Sequence, residues 1–225
     1  TDSDRQKAMS LMSVFGQIGT DSALLVLIGL GQANPRPTVF EAAWGVINQA
    51  AGRRRISADQ LEDRVAPDCG LDERGGRVFD YGPRQFKLVF DEHFRPRLAD
   101  SGGDVLSELP PADEGDDAAQ VEGCQAAWAL MSRQLEEILD IQTERLRRSM
   151  VHQRRWTLAD WSTWILGHPL MVNYAQRLVW GLHGSDGALV NTFRTAEDRS
   201  LVDIEDESME LGDDQTCAIT LVHPA

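Results

Sequence analysis

A run of basic residues near position 150 contains the residue types best suited to chemistry. Arginine side chains bind phosphate or carboxylate groups through two parallel hydrogen bonds, and a neighbouring indole can stack on a base or sugar. The candidate anion- or ligand-binding residues are Arg145, Arg147, Arg148, His152, Arg154, Arg155 and Trp156. One interpretation of this basic run is therefore a face that grips an anionic ligand.

The basic run also has a structural interpretation. Basic side chains at the end of a helix complement its dipole, and the protein's own acidic surplus offers partners for ion pairs. Helical spacing divides the run between two faces: Arg145, Arg148 and His152 on one, and Arg147, Arg154 and Trp156 near the other. The residues need not converge on one ligand, so both interpretations stay open.

The sequence predicts no catalytic residue, metal site or cofactor. The five histidines show neither His-Glu-x-x-His spacing nor an adjoining Cys-x-x-Cys pair. His168 and His223 each precede a proline, where we expect a histidine hydrogen-bonded to the backbone. The acidic run from Asp203 to Glu210 lacks the spacing of a calcium loop and indicates a solvated hairpin.

The amino-acid composition limits which partners are expected and indicates a cellular compartment. The net charge of −14 argues against nonspecific binding to nucleic acid or anionic membrane through the whole surface. Three widely spaced cysteines, Cys69, Cys124 and Cys217, predict buried free thiols in a reducing cytoplasm. The most apolar run, from Ala23 to Leu30, is too short to span a membrane.

A long helix from Asp116 to Trp156 is predicted to position the basic run. The stretch contains no proline, and its apolar residues recur at alternating three- and four-residue intervals. Asp116 and Asp117 suit the start of this helix and the arginines suit its end. At about 1.5 Å per residue such a helix is on the order of 50–60 Å long, so the other elements must pack along it.

The elements before this helix are predicted to be helices and then strands. Residues 1–66 read as four short helices, with a break at 31–35 and with Ser57 as the cap of the fourth. Residues 77–81 and 85–90 form a predicted hairpin, and residues 94–98 an edge strand because of Pro96. Residues 99–115 are predicted to be a mobile acidic loop.

The elements after it are predicted to be a helix pair and a small meander. Thr157 caps a helix through Leu166, and a second helix runs from Leu170 to Trp180. Strands follow at 189–194, 201–204 and 217–222, with a hairpin turn near Gly184. Tryptophans at helical spacing are expected in the core. The fold class is thus α+β: N-terminal helical-repeat-like helices, a β-hairpin, one long central helix with a helix pair, and a C-terminal antiparallel β-meander.

The chain also resembles a known family through a series of short segments in a fixed order. Examples are Leu61-Glu62-Asp63, Asp80-Tyr81-Gly82-Pro83-Arg84, Gln142-Thr143-Glu144-Arg145-Leu146, His168-Pro169-Leu170 and Arg177-Leu178-Val179-Trp180. Over about residues 55–225 it is similar to the uncharacterised bacterial domain of molybdate-metabolism-regulator-like proteins (domain of unknown function 4132). The resemblance implies a segment of a long protein that often also carries a tryptophan-glycine-arginine domain or helical repeats.

The predicted organisation and function follow from these two lines of argument. Residues 1–66 are expected to be the end of a HEAT/armadillo-like helical-repeat region, and residues 67–225 an α+β domain packed against it. We expect a noncatalytic scaffold, interaction or regulatory module whose partners are other domains of its own protein. The alternative is a nucleotide- or nucleic-acid-directed enzyme or binding domain, with the arginines as a phosphate clamp and His152 or His168 as acid or base.

Overall fold

The computed structural model describes residues 2–33, 37–212, 214 and 216–222. The predicted α+β class is confirmed: helices dominate the N-terminal part, one long helix runs through the middle, and an antiparallel sheet closes the C-terminal part. His223 and the predicted break at Asn34 and Pro35 lie outside the described residues.

Four helices open the chain: α1 Asp2–Ile18, α2 Asp21–Ala33, α3 Pro37–Arg54 and α4 Ala58–Arg64. Ser57 caps α4 as predicted, with its Oγ accepting from the Gln60 N–H at 3.1 Å and the Gln60 side chain accepting from the Ser57 N–H. The predicted break at Gly31 is wrong because α2 continues to Ala33. A Cβ at Gly31 would lie 3.2 Å from the Ala43 Cβ, so this glycine serves close packing of α2 on α3.

The first sheet contains four antiparallel strands in chain order: β1 Val78–Asp80, β2 Gln85–Phe90, β3 Pro96–Ala99 and β4 Val105–Leu106. The prediction of β3 as an edge strand is wrong, because β4 pairs with its outer side at Leu98 and Ala99. Pro96 is tolerated because it pairs only with Phe90, beyond the reach of β4. The predicted loop at 99–115 therefore begins with a hairpin.

Four turns between elements share one geometry. An aspartate opens each turn and accepts two backbone N–H groups through its Oδ1, and the fourth residue has positive φ. The turns are Asp72–Gly75, Asp91–Phe94, Asp100–Gly103 and Asp203–Asp206. The acidic run after Asp203 is thus a hairpin turn, as predicted. Phe94 adopts the unfavourable conformation while its ring packs against Phe90 and Tyr174.

The central helix, α5, spans Ala118–Val151, and the predicted extension to Trp156 is wrong. Asp117 caps its start by accepting from the N–H groups of Ala119 and Gln120. Its end is a Schellman motif: Gln153 has φ of 50°, and the Arg154 N–H bonds to the Ser149 carbonyl at 2.8 Å. This reversal folds the last residues of the basic run back along the helix.

The remaining elements are β5 Trp156–Thr157, α6 Leu158–Trp161 with a π-helical turn Ser162–Leu166, α7 Val172–Ala175, β6 Trp180–His183, β7 Leu189–Thr195, β8 Leu201–Asp203, β9 Ser208–Met209 and β10 Ala218–Leu221. The second sheet has the order β5-β10-β6-β7-β8-β9. Thr157 caps α6 as predicted. The predicted helix from Leu170 to Trp180 is wrong, since only α7 is α-helical and Trp180 pairs with Phe193 in the sheet.

Tryptophan side chains fill the core between α5 and the second sheet. Trp180 makes edge-to-face contacts with both Trp156 and Trp161, and Trp161 contacts Phe193 in the same way. Trp128 is also buried, against Phe79 of the first sheet. Trp44 and Trp164 are only partly buried. The prediction of tryptophans as core residues is therefore confirmed for four of the six.

The cysteines are free thiols, as predicted, but none is fully buried. Each of Cys69, Cys124 and Cys217 is partly exposed. Burial, with the charge of Asp68, raises the pKa of the Cys69 thiol to about 12. A thiol with so high a pKa is almost entirely protonated near neutral pH, which makes it a poor nucleophile.

We predict that Gly75→Ala destabilises the protein more than Gly82→Ala. Both glycines have positive φ, at 81° and 95°, so an added Cβ costs about 1–2 kcal/mol at each. At Gly75 it would also lie 2.7 Å from the Pro169 carbonyl oxygen, whereas Gly82 has open space. Overpacking adds about 1–3 kcal/mol. Urea unfolding of the two variants measures the difference, and equal losses would contradict the packing at Gly75.

Candidate functional site

The buried carboxylate of Asp63, near the end of α4, is the centre of the site. Its side chain has no exposed surface and accepts hydrogen bonds from the guanidinium groups of Arg145 and Arg154. The Trp156 indole donates to the same carboxylate at 3.2 Å, and the Arg154 guanidinium stacks 4.4 Å from the Trp156 ring. Three residues of the predicted cluster therefore converge on one acidic group of the protein itself.

A second buried carboxylate, that of Glu62, engages the next arginine along α5. Arg148 donates to Glu62 at 2.6 Å, and its guanidinium carbon lies 4.7 Å from the centroid of the Trp44 ring on α3. The Glu62 side chain is 2% exposed and that of Arg148 is 21% exposed. Glu62 and Asp63 thus connect the first four helices to α5 through charged hydrogen bonds.

Burial dominates the electrostatics of this network. It raises the pKa of the Glu62 carboxyl, against the opposing effect of Arg148, and it lowers the pKa of the Arg145 guanidinium, against the opposing effect of Asp63. Three arginines face two buried carboxylates here, with Asp59 3.9 Å from Arg154. The network is compensated because each buried charge has an opposite charge within hydrogen-bonding distance.

The other residues of the predicted cluster lie outside the network. Arg147 is 59% exposed and forms a two-pronged pair with Glu144, three residues earlier, at 2.7 Å. Its hydrogen bonds lower the pKa of the Glu144 carboxyl. The exposed Arg155 donates to the Gly187 carbonyl at 2.9 Å, and the exposed His152 occupies the C-cap of α5. The structure thus separates these three from Arg145, Arg148, Arg154 and Trp156.

His168 is a buried side chain close to the same network. Its Nδ1 accepts from the N–H groups of Leu170 and Met171, so its Nε2 carries the proton and donates to the Ala66 carbonyl at 3.0 Å. Burial lowers the pKa of this imidazole and Arg145 lowers it further, while the bond to Ala66 acts in the opposite direction. The prediction of a backbone-bonded histidine before proline is confirmed here.

Glu62 and Asp63 are the site residues that the sequence analysis missed. Neither acid was singled out from the sequence as a partner for the arginines. A signal was present, because carboxylates in the last turn of a helix face the negative end of its dipole. Two adjacent acids in that position favour cations from elsewhere in the fold, although the sequence does not say which.

Within residues 2–33, 37–212, 214 and 216–222, no group of three or more histidine, cysteine, aspartate or glutamate side chains is arranged to hold a metal ion. Over the same residues, no helix combines the length and apolarity needed to cross a membrane.

Comparison with known proteins places the chain among uncharacterised relatives. Residues 103–225 match the family model described as a domain of unknown function, DUF4132. The uncharacterized protein YehI of Escherichia coli (strain K12) is 29% identical over 221 residues, which is 97% of this chain but only 18% of that relative. No solved structure matches. The predicted relationship to domain of unknown function 4132 is confirmed.

We predict that Asp63→Asn destabilises the protein by about 3–5 kcal/mol, because it leaves two buried guanidinium groups without a carboxylate. The matched control is Glu144→Gln, which breaks the exposed pair with Arg147 and should cost less than about 1 kcal/mol. Chemical denaturation of both variants measures the free energy of unfolding. A loss at Asp63 no greater than at Glu144 would contradict the central role of this carboxylate.

We also predict that His168 makes the protein less stable in mild acid. Its pKa in the folded state lies below the ordinary value of 6.5, so the unfolded state binds the proton more tightly. The stability that His168 contributes is therefore fully present when the pH is above its ordinary pKa of 6.5. This stability is lost as the pH falls through the pKa that His168 has in the folded state. His168→Asn, which keeps an acceptor for the turn, should flatten the decline of unfolding free energy between about pH 7.5 and 5.5.

The control for this measurement is His93→Asn, because the His93 side chain is 79% exposed. The opposite effect of Glu62, whose raised pKa favours the folded state at low pH, is common to all three proteins and cancels in the comparison. A pH profile of His168→Asn that parallels the unmodified protein would show that His168 does not contribute.

Proposed function

The chain belongs to the family described as domain of unknown function DUF4132, and from this premise we propose that it is a noncatalytic scaffold or interaction module of a larger bacterial protein. One observation carries the proposal. Three of the five arginines that the sequence offered for a phosphate site, Arg145, Arg148 and Arg154, donate instead to buried carboxylates of α4. Most of the basic run therefore stabilises the fold by joining α4 to α5 and to the segment that follows α5.

The partners in this proposal are other segments of the same protein, acting in the cytoplasm. Two separate clusters of buried apolar side chains support a division near residue 67, one within residues 12–65 and the other within 71–221. Ile141 of α5 packs against the first cluster and so joins the two. A regulatory role, a helical-repeat origin for residues 1–66 and a link to molybdate-metabolism-regulator-like or tryptophan-glycine-arginine proteins are part of the same proposal.

The rival function is a nucleotide- or nucleic-acid-directed enzyme or binding domain. Its remaining support is the exposed part of the basic run, His152, Arg147 and Arg155, at the C-terminal end of α5. Charge reversal at Arg154 is a poor test of this function, because that side chain is held in the Asp63 network and its loss should unfold the protein. Arg147 and Arg155 are the informative positions.

The deciding experiment is thermal unfolding of the intact protein with ATP, polyphosphate or a short single-stranded DNA at low salt. A ligand at about one hundred times its Kd adds about 2.7 kcal/mol. For a protein of this size that corresponds to a rise in Tm of roughly 5 °C or more. The scaffold proposal predicts no rise with any of these ligands.

The variant Arg147→Glu with Arg155→Glu completes the test. A rise that weakens with salt and disappears in this double variant would overturn the scaffold proposal in favour of the phosphate-binding function. The matched control is Arg133→Glu, which reverses an exposed arginine on α5 outside the basic run. Because all three positions are on the surface, the double variant and the control should unfold at similar temperatures without ligand.

A further inference from the structure

Helix α1 is apolar on two sides, and only one of them is buried. Its inner side carries Met12, which is 5% exposed and lies in the core shared with α2 and α3. Its outer side carries Leu11, Val14 and Ile18, which are 58%, 50% and 56% exposed. These three residues, called the outer stripe, follow one another at three- and four-residue intervals and therefore lie on one face.

An apolar outer face is unusual for the last helix of a helical array. Each helix of an array buries apolar side chains against its neighbours, and a terminal helix normally carries polar residues outside because that face meets water. Here α1, α2 and α3 pack on one another. Gly16 of α1 faces Val46 of α3 and lies about 140–160° around the helix from the outer stripe, so the stripe is on the far side of α1 from α3. The pattern of α1 is that of an interior helix with a neighbour on both sides.

The size of the outer stripe indicates what covers it. Three side chains present an area on the order of a few hundred Å², whereas a stable interface between separate proteins buries about 800 Å² on each partner. A second copy of the chain or a free partner would bind such a stripe weakly. A helix in the same polypeptide needs far less contact area, because a short tether gives it an effective concentration in the millimolar range.

We propose that the outer stripe is the docking face for an amphipathic helix contributed by another segment of the long polypeptide. The inference rests on the proposed function as a module of a larger protein, and the long relative, of which this chain spans 18%, is consistent with it. The docked helix carries apolar residues at matching intervals. It also carries an acidic residue facing Lys7, which precedes Leu11 by one helical turn.

The test measures the reaction of a single introduced cysteine with a maleimide, with the labelled residue identified by mass spectrometry. Leu11→Cys reports on the outer stripe. Ser13→Cys is the matched control, since Ser13 is also exposed on α1 but lies about 160° away around the helix. Each variant is made in the full-length protein that contains this chain and in the chain of 225 residues alone.

In the full-length protein we expect Leu11→Cys to react at least roughly tenfold more slowly than Ser13→Cys, which corresponds to burial for more than about nine-tenths of the time. In the chain alone the two rates should be similar. Equal rates in the full-length protein would overturn the proposal. So would protection in the chain alone that increases with protein concentration, because a second copy would then be the occupant. Neither outcome changes the result of the thermal unfolding experiment with ligands, which tests the scaffold proposal separately.

Discussion

The buried carboxylate of Asp63 is the interaction on which the rest of the structure depends. Arg145 from the middle of the chain and Arg154 from beyond the end of α5 both donate to it, and neither could be buried without it. Satisfying this one group fixes the position of α4 against α5 and requires the chain to reverse at Gln153. The cost of removing one partner from such a buried ion pair exceeds the net contribution of the intact pair to stability, because the remaining charge is left buried without compensation.

The reversal at the end of α5 links this network to the second sheet. Trp156 donates to Asp63 and also begins β5, which pairs with β10, so the same residue belongs to the polar network and to the edge of a sheet. Its ring contacts Trp180 of β6, and through Trp161 the aromatic contacts extend to Phe193. The charged network and the tryptophan core are therefore parts of one structure and should lose their order together.

Much of the local structure was predictable because it depends on neighbouring residues. The caps at Ser57 and Thr157 and strand β2 follow from side chains within a few positions. Two of the predictions that were wrong concern a segment that is largely buried and a strand whose outer neighbour was not predicted. Between Leu170 and Ala175 every residue except Asn173 is buried, and such a nearly continuous buried run has no periodicity that separates a helix from a strand. Whether the strand that contains Pro96 lies at the edge of its sheet depended on β4. A strand of only two residues leaves too short a pattern in the sequence to be predicted.

The sequence by itself determined the α+β class, the long helix and the existence of a basic run at its end, since periodicity, caps and composition are local properties. Only the tertiary structure decided which arginines are available to a ligand. Arg145 and Arg147 are two residues apart, and helical geometry turns them to different sides, one into the protein and one into water. The partner of the buried arginine, Asp63, is eighty-two residues away. Side-chain spacing along the chain carries no information about such a contact, because it forms only when the two helices pack.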